Sequence, residues 1–213
     1  FGASSQPPGI PDSAVVEALL ATVGQERLVV DAAAERLMKE ARVTVDLSSI
    51  AKGYGVDVVA EWLLAEGIRD FLVEVGGEIR VAGRSPRGDA WRVAIERPDA
   101  SGSVAEALAL TELAVATSGD YRNFVEIDGR RYSHSIDPRS GFPVVHDLVS
   151  VTVVHESAML ADAWATALIV LGTEQAARVA EEQALAVYFI RRVEGGFDGF
   201  PTAALEPYLS GRN

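Results

Sequence analysis

Asp162 and Thr166 stand four residues apart in the otherwise apolar run Met159-Leu160-Ala161-Asp162-Ala163-Trp164-Ala165-Thr166-Ala167-Leu168. On a helix, positions i and i+4 share a face roughly 6 Å apart, so the pair offers two oxygen donors to one ligand. Hard Mg²⁺ takes oxygen ligands, few of them from protein and the rest from water or phosphate. The same two residues also suit an aspartate that favours the helix dipole and a threonine bonded to backbone. Spacing alone leaves both readings open.

A second stretch is Asp46-Leu47-Ser48-Ser49-Ile50-Ala51-Lys52-Gly53-Tyr54-Gly55. It reads as a strand ending at Asp46, followed by a helix capped by Ser48 or Ser49. Free N–H groups at such a helix start attract anions, and Lys52, one turn in, is placed to reach a phosphate or a ring carbonyl. A plain capped helix with a solvated lysine fits equally. The order Gly-x-x-x-x-Gly-Lys-Ser/Thr is missing, so this is not a P-loop.

The third stretch is Tyr132-Ser133-His134-Ser135-Ile136-Asp137-Pro138-Arg139-Ser140-Gly141-Phe142-Pro143. A strand carries His134, and a Pro/Gly turn then holds Asp137 and Arg139. Between Gly129 and His146 three arginines (Arg130, Arg131, Arg139) meet one aspartate, Asp137, a local balance of +2. A histidine can serve as a general base at neutral pH, or simply fill a structural place. Gly76-Gly77 and Thr117-Ser118-Gly119-Asp120 read as turns, with room for a ligand to approach backbone. His146 and His155 have no partner at metal-ligand spacing, and no Ser-His-Asp order or paired carboxylates stand out.

The elements that must position these groups come in mixed order. Asp12 caps a helix over Ser13 to Val23, after an irregular lead-in from Phe1 to Pro11. Leu28 to Val45 is ambiguous: Ala32 to Ala41 favours helix, whereas Leu28 to Val30 and Arg42 to Val45 look like strands. Ile50, Tyr54, Val58 and Trp62 repeat at i+4 along the next helix, and Gly67 suits its C-terminus. Strands follow at Phe71–Val75, Glu78–Gly83, Trp91–Glu96, Ala107–Glu112 and Ala114–Thr117. Phe124–Ile127 and Arg131–Ser135 flank Asp128-Gly129, a hairpin signal. Val149–Val154 is a buried-type strand. A helix from Ser157 to Leu171 stops at Gly172, Thr173 caps another to Gln183, and Leu185–Arg191 is the last strand. This is α+β, without the regular alternation of a doubly wound sheet.

Composition removes whole classes of function. The 213 residues are 48% hydrophobic and 23% charged, as in an ordinary globular chain, which excludes disordered tails and fibres. Zero cysteines exclude disulfides, thiolate-bound zinc, iron–sulfur clusters and thiol nucleophiles. Nineteen Lys+Arg against 31 Asp+Glu give a net charge of −12, so a general nucleic-acid binder is excluded. A polyanionic ligand then needs a metal ion or a local cationic site. The most apolar run, Ala163 to Leu171, is about half the roughly 20 residues that a membrane span needs. No signal peptide is visible, and the chain opens on Phe1 rather than Met.

Taken together, five ordered motifs resemble the ApbE-type FAD:protein FMN transferases. They are Asp46 to Tyr54, Val73-Glu74-Val75-Gly76-Gly77-Glu78-Ile79-Arg80, Ala116-Thr117-Ser118-Gly119-Asp120-Tyr121, Tyr132 to Gly141, and Ala161 to Leu168. The resemblance implies a T-fold-related α+β domain over residues 1–213, lacking the family's N-terminal part, with Leu28 to Val45 strand-rich. It implies an enzyme that uses Mg²⁺ to cleave FAD and attach FMN through a phosphoester bond to a Thr or Ser of a target protein, releasing AMP. The target class is a membrane redox-pump subunit or a related flavoprotein. The location implied is the periplasm or the outer face of the cytoplasmic membrane.

By the same resemblance Asp46, Lys52 and Ile136 contact the flavin nucleotide, with Gly119, Asp120 and Arg139 assigned beside them. Ser49, Asp162, Thr166 and the backbone oxygen of Ala165 form the metal site, and His134 is the candidate base. Ser49 stands where the family varies between small residues and Thr, so the resemblance favours its backbone carbonyl over its side chain as the ligand. Two other readings use the same residues: a Mg²⁺-dependent FAD pyrophosphatase giving FMN and AMP, and a flavin-binding module without catalysis.

Overall fold

The computed structural model describes residues 9, 11–40, 42–99, 102–119, 124–127 and 130–210. In chain order its elements are α1 (Ser13–Leu20), β1 (Leu28–Asp31), β2 (Arg36–Lys39), α2 (Ala51–Ala65), β3 (Phe71–Val75), β4 (Glu78–Ala82), β5 (Trp91–Glu96) and β6 (Val104–Leu110). They continue with β7 (Leu113–Gly119), β8 (Phe124–Ile127), β9 (Arg130–Ser133), β10 (Leu148–His155), α3 (Ala158–Leu171), α4 (Thr173–Glu182), β11 (Ala186–Val193) and β12 (Gly196–Pro201). The mixed-order α+β expectation holds. The chain falls into two compact units, one drawn from residues 1–46 and 124–145, the other from 47–123 and 146–213.

The larger unit is built on a six-stranded antiparallel sheet in the order β12-β11-β10-β7-β4-β3. Its centre is β10, which is buried on both faces along nearly its whole length. Val151 and Val153 pack in one cluster with Ala161, Ala165 and Leu168 of α3 and Phe189 of β11. Val149 and Val154 belong to a second cluster with Val93 and Ile95 of β5, Leu108 and Leu110 of β6, and Leu205. Alternation along β10, with a register shift between Leu148 and Ser150, thus feeds two cores from one element. Each fully buried aliphatic side chain contributes about 1.5–3 kcal/mol.

Helix α3 meets its surroundings through small residues: Ala158, Ala161 and Ala165 are fully buried. Ser157 caps it, its hydroxyl accepting from Leu160 N–H at 3.3 Å. Helix α2 ends as Gly67 suggested. Gly67 takes a positive φ of 81°, its N–H donates to Leu64 O, and Ile68 N–H reaches back to Leu63 O. These paired bonds close a Schellman turn, which favours glycine at the left-handed position.

Several local expectations need correction. Neither Ser48 nor Ser49 caps α2: Leu47 O accepts from both Ile50 and Ala51 N–H, so a backbone turn starts the helix and Ile50 stands at its cap. The i+4 repeat marks the helix but not its buried side. Tyr54 and Trp62 are 58% and 59% exposed, while Gly53, Val56, Asp57 and Ala60 face inward. Thr173 does not cap α4; its hydroxyl donates to Asp147 Oδ1 at 2.7 Å. Leu185–Arg191 is not the last strand: β12 follows it and pairs as an edge strand with β11.

In the smaller unit Asp12 caps α1 through Ala14 N–H at 2.8 Å, as expected, though the helix stops at Leu20. The ambiguous Leu28–Val45 stretch forms the β1–β2 hairpin, with residues 32–35 as its turn and Glu35 at φ 52°. Helix propensity there amounts to a few tenths of a kcal/mol per residue, and strand pairing overrides it. Arg42–Val45 is not a strand; Val43 N–H closes a turn onto Glu40 O instead. Strands β8 and β9 pair from Phe124↔Ser133 to Ile127↔Arg130. The Asp128-Gly129 turn between them lies outside the described residues. No helix among the described residues is long and apolar enough to cross a membrane.

Candidate active site

The larger unit positions its chemistry through the crossing of α2 and α3. Gly53 faces Ala158 so closely that a Cβ would lie 2.6 Å from the Ala158 carbonyl carbon and 2.8 Å from Met159 Cα. One turn further on, Asp57 of α2 caps the start of α3. Its carboxylate accepts from Ser157 Oγ at 2.7 Å, Ala158 N at 2.9 Å and Met159 N at 3.0 Å, and pairs with Arg80 Nη1 at 2.8 Å. Two of the donors, the Ala158 and Met159 N–H groups, are orphan groups of a helix start, supplied with an acceptor from another helix.

Burial pushes the Asp57 carboxyl up, but the Met159 N–H, the Ser157 hydroxyl, the Ala158 N–H and Arg80 outweigh it and hold it below the ordinary value. A depressed carboxyl stabilises the fold above its unfolded pKa, and that contribution is lost as pH falls through the folded value. Asp57→Asn is therefore expected to cost about 2–3 kcal/mol near neutral pH. The gap to the native chain should shrink progressively below pH 3.8, the ordinary aspartate value. Urea midpoints across that range measure it; a gap that stays constant into acid would refute the charged role.

Pinned in this way, the first turns of α2 and α3 bring Lys52 to Asp162. Asp162 is buried, and its Oδ2 accepts from Gly53 N–H at 3.1 Å. Lys52 Nζ lies 3.8 Å from Asp162 Oδ1 and donates directly to Glu78 Oε1 at the start of β4. Thr166, one turn beyond Asp162, has its hydroxyl 3.2 Å from Ser118 Oγ of β7. The Gly76-Gly77 turn covers this group: at Gly76, with φ 61°, a Cβ would lie 3.2 Å from Lys52 Cδ and 3.7 Å from Glu78 Oε2. A side chain here would crowd the lysine stem.

Burial pushes both the Asp162 and the Glu78 carboxyls up. The Gly53 N–H and the Lys52 charge oppose it at Asp162, and the Lys52 ammonium opposes it at Glu78. Two desolvated carboxylates around one ammonium leave an unbalanced negative charge, which is the electrostatic condition for holding a cation. The oxygen donors at hand are few, a carboxylate and a hydroxyl. That suits Mg²⁺, which takes one or two protein ligands and fills its shell with water and phosphate. Among the described residues no group of three or more acidic or histidine side chains is gathered to make an all-protein cage.

Of the other sequence candidates, Ser49 is half-buried on the turn entering α2, and Ala165 is buried in mid-α3. Gly119 ends β7, paired with Ser150. Asp120 lies outside the described residues. Asp46, His134, Ile136 and Arg139 belong to the smaller unit. His134 is exposed and follows β9 instead of riding on it. Ile136 bridges to Pro143, and Arg139 grips Asp137 with Nε at 2.9 Å and Nη2 at 2.8 Å. That pairing holds the Asp137 carboxyl below its ordinary range and spends part of the local cationic excess. Sequence reasoning missed Glu78, Ser118 and Asp57 as members of the larger unit's site. The first two stood inside quoted motifs, whereas Asp57 carried no local signal.

A family profile described as the ApbE family matches residues 1–189. The FAD:protein FMN transferase of Vibrio cholerae serotype O1 is 43% identical over 212 residues, 99% of this chain and 63% of that protein. The FAD:protein FMN transferase of Haemophilus influenzae is 42% identical over 202 residues, 92% of this chain and 58% of that protein. Among solved structures, the flavin transferase ApbE from Vibrio cholerae superposes with a TM-score of 0.87 at 41% identity, covering 98% of this chain and 66% of that one. The chain thus spans about three fifths of the length of these curated relatives.

Proposed function

This chain belongs to the ApbE family, and from that premise we propose that it carries out Mg²⁺-dependent transfer of FMN from FAD to a hydroxyl of an acceptor protein. The observation that supports the reading best is the group in the larger unit that sets Lys52, Thr166 and Ser118 around the buried carboxylates Glu78 and Asp162. It joins a cation-holding oxygen pair to an ammonium, the two charges that a diphosphate requires.

The reaction is a phosphoryl substitution. An acceptor Thr or Ser oxygen forms a bond to the phosphorus on the FMN side of FAD. The bond from that phosphorus to the bridging oxygen breaks, and AMP leaves with the electron pair. Asp162 and Thr166, with Ser49 and the Ala165 carbonyl, would hold Mg²⁺. When bound, that ion neutralises charge on the diphosphate oxygens. Lys52 supplies a cation one turn inside α2, for the phosphates or the flavin ring. Asp46, Ile136, Gly119, Asp120 and Arg139 are assigned to the flavin nucleotide. A hydroxyl is a weak nucleophile near neutral pH, so His134 takes its proton as the new bond forms.

Intact-mass spectrometry tests the reading. Incubating the protein with FAD, Mg²⁺ and a peptide carrying an acceptor Thr is expected to add one FMN moiety per peptide, with AMP released in equal amount. AMP release at the same rate with no acceptor and no adduct would make the protein a pyrophosphatase. Bound FAD with neither product would make it a binding module.

A further inference from the structure

Glu78 has no role in the transfer chemistry above, and we infer that it is a positioning residue: it holds the Lys52 ammonium off Asp162, leaving an Asp162 oxygen for a divalent cation. The inference rests on the reading of Asp162 as a cation ligand.

The two partners of Lys52 are unequal. Glu78 is 1% exposed at the first residue of β4, on a short stem that cannot leave its place, whereas the Lys52 side chain is 44% exposed on a long flexible one. The ammonium donates directly to Glu78 Oε1 but stays 3.8 Å from Asp162 Oδ1, beyond hydrogen-bond range. Among the described residues no donor serves Glu78 Oε2, and Lys52 is the counter-charge of that carboxylate. The Gly76 backbone lies over the lysine stem and helps to keep it there.

Without the charge on Glu78, the nearest anion for Lys52 is Asp162. A shift of about 1 Å would close the 3.8 Å separation to an ordinary charged hydrogen bond. A cation would then have to displace an ammonium from its ligand. The charge count points the same way. Lys52, Glu78 and Asp162 sum to −1, and neutralising Glu78 brings the sum to zero before anything moves.

Mn²⁺, an oxygen-preferring divalent ion, serves as the probe, with free ion counted by electron paramagnetic resonance as it is titrated into the protein. Glu78→Gln is expected to weaken Mn²⁺ binding about tenfold. The double variant Lys52→Met with Glu78→Gln is expected to return to within about threefold of the native chain, because the released ammonium is gone and the net −1 is restored. A merely structural glutamate cannot produce that rescue. Native-like binding by Glu78→Gln overturns the inference, as does a double variant no better than the single. If Glu78→Gln fails to fold, the double variant decides alone: native-like binding supports the inference and loss overturns it. Asp162→Asn in the same titration separates the premise, since native-like binding there refutes the cation reading of Asp162 itself.

Discussion

Asp162→Asn is expected to lower the rate of FMN transfer about a thousandfold while leaving the protein at least as stable as before. A thousandfold corresponds to about 4 kcal/mol of transition-state stabilisation, the scale of losing a preorganised charge at a phosphoryl centre. Asparagine has the same shape and keeps an amide oxygen for the Gly53 N–H, now 3.1 Å from Asp162 Oδ2. What it lacks is the charge proposed to bind a cation.

The stability half of the prediction follows from the raised carboxyl. Burial is the largest cause, ahead of the opposing Gly53 N–H and Lys52 charge. A carboxyl whose folded pKa is raised favours the fold at low pH and loses that favour as pH rises through the folded value. At neutral pH the native chain therefore carries the cost of burying this carboxyl, which asparagine relieves. Single-turnover rates at saturating FAD, with thermal unfolding of both proteins, check the two halves together. A rate within tenfold of native would remove Asp162 from the proposed metal site. A large fall in the unfolding midpoint would mean that it acts as a structural residue.

What sequence could show here was local. The helix around Asp162 and Thr166 and its stop at Gly172 depend on neighbours within one or two turns, and both were readable. So was β10, whose unbroken Val-rich run has no other use than burial on both faces. The pairing of Lys52 with Glu78 was not, because 26 residues separate them and only the β3–β4 hairpin brings the Gly76-Gly77 turn over the lysine stem. Asp57 was harder still. In mid-helix it reads as a solvated charge, yet its partners arrive a hundred residues later with the start of α3. The buried face of α2 was misjudged for a related reason. Large apolar residues at i+4 looked like its core stripe, but a close helix crossing selects glycine and alanine, which carry little hydrophobic signal.

Gly53→Ala is expected to cost about 3 kcal/mol of stability, whereas Gly55→Ala, two residues along the same helix, is expected to gain up to about 1 kcal/mol. Helix propensity favours alanine by about 1 kcal/mol at both positions. At Gly55 nothing lies within 4 Å of an added Cβ, so the gain is unopposed. At Gly53 the Cβ meets the Ala158 carbonyl carbon at 2.6 Å and Met159 Cα at 2.8 Å, and backbone atoms cannot rotate out of the way. The helices must part by about 1 Å to reach ordinary van der Waals separation. Parting stretches the Gly53–Asp162 hydrogen bond and the three α3 bonds to Asp57, all now 2.7–3.1 Å. Weakening the donor to a buried carboxylate adds about 1–3 kcal/mol to the overpacking, so steric cost outweighs propensity. Lys52 and Asp162 sit on the two helices that move, and misplacement by about 1 Å is worth about a hundredfold in rate. Urea midpoints of the two variants measure the opposite signs, and transfer rates well below the unfolding temperature measure the displacement. Equal gains from both alanines would mean that α2 and α3 do not cross at Gly53, and with that crossing would go the geometry that brings Lys52 to Asp162.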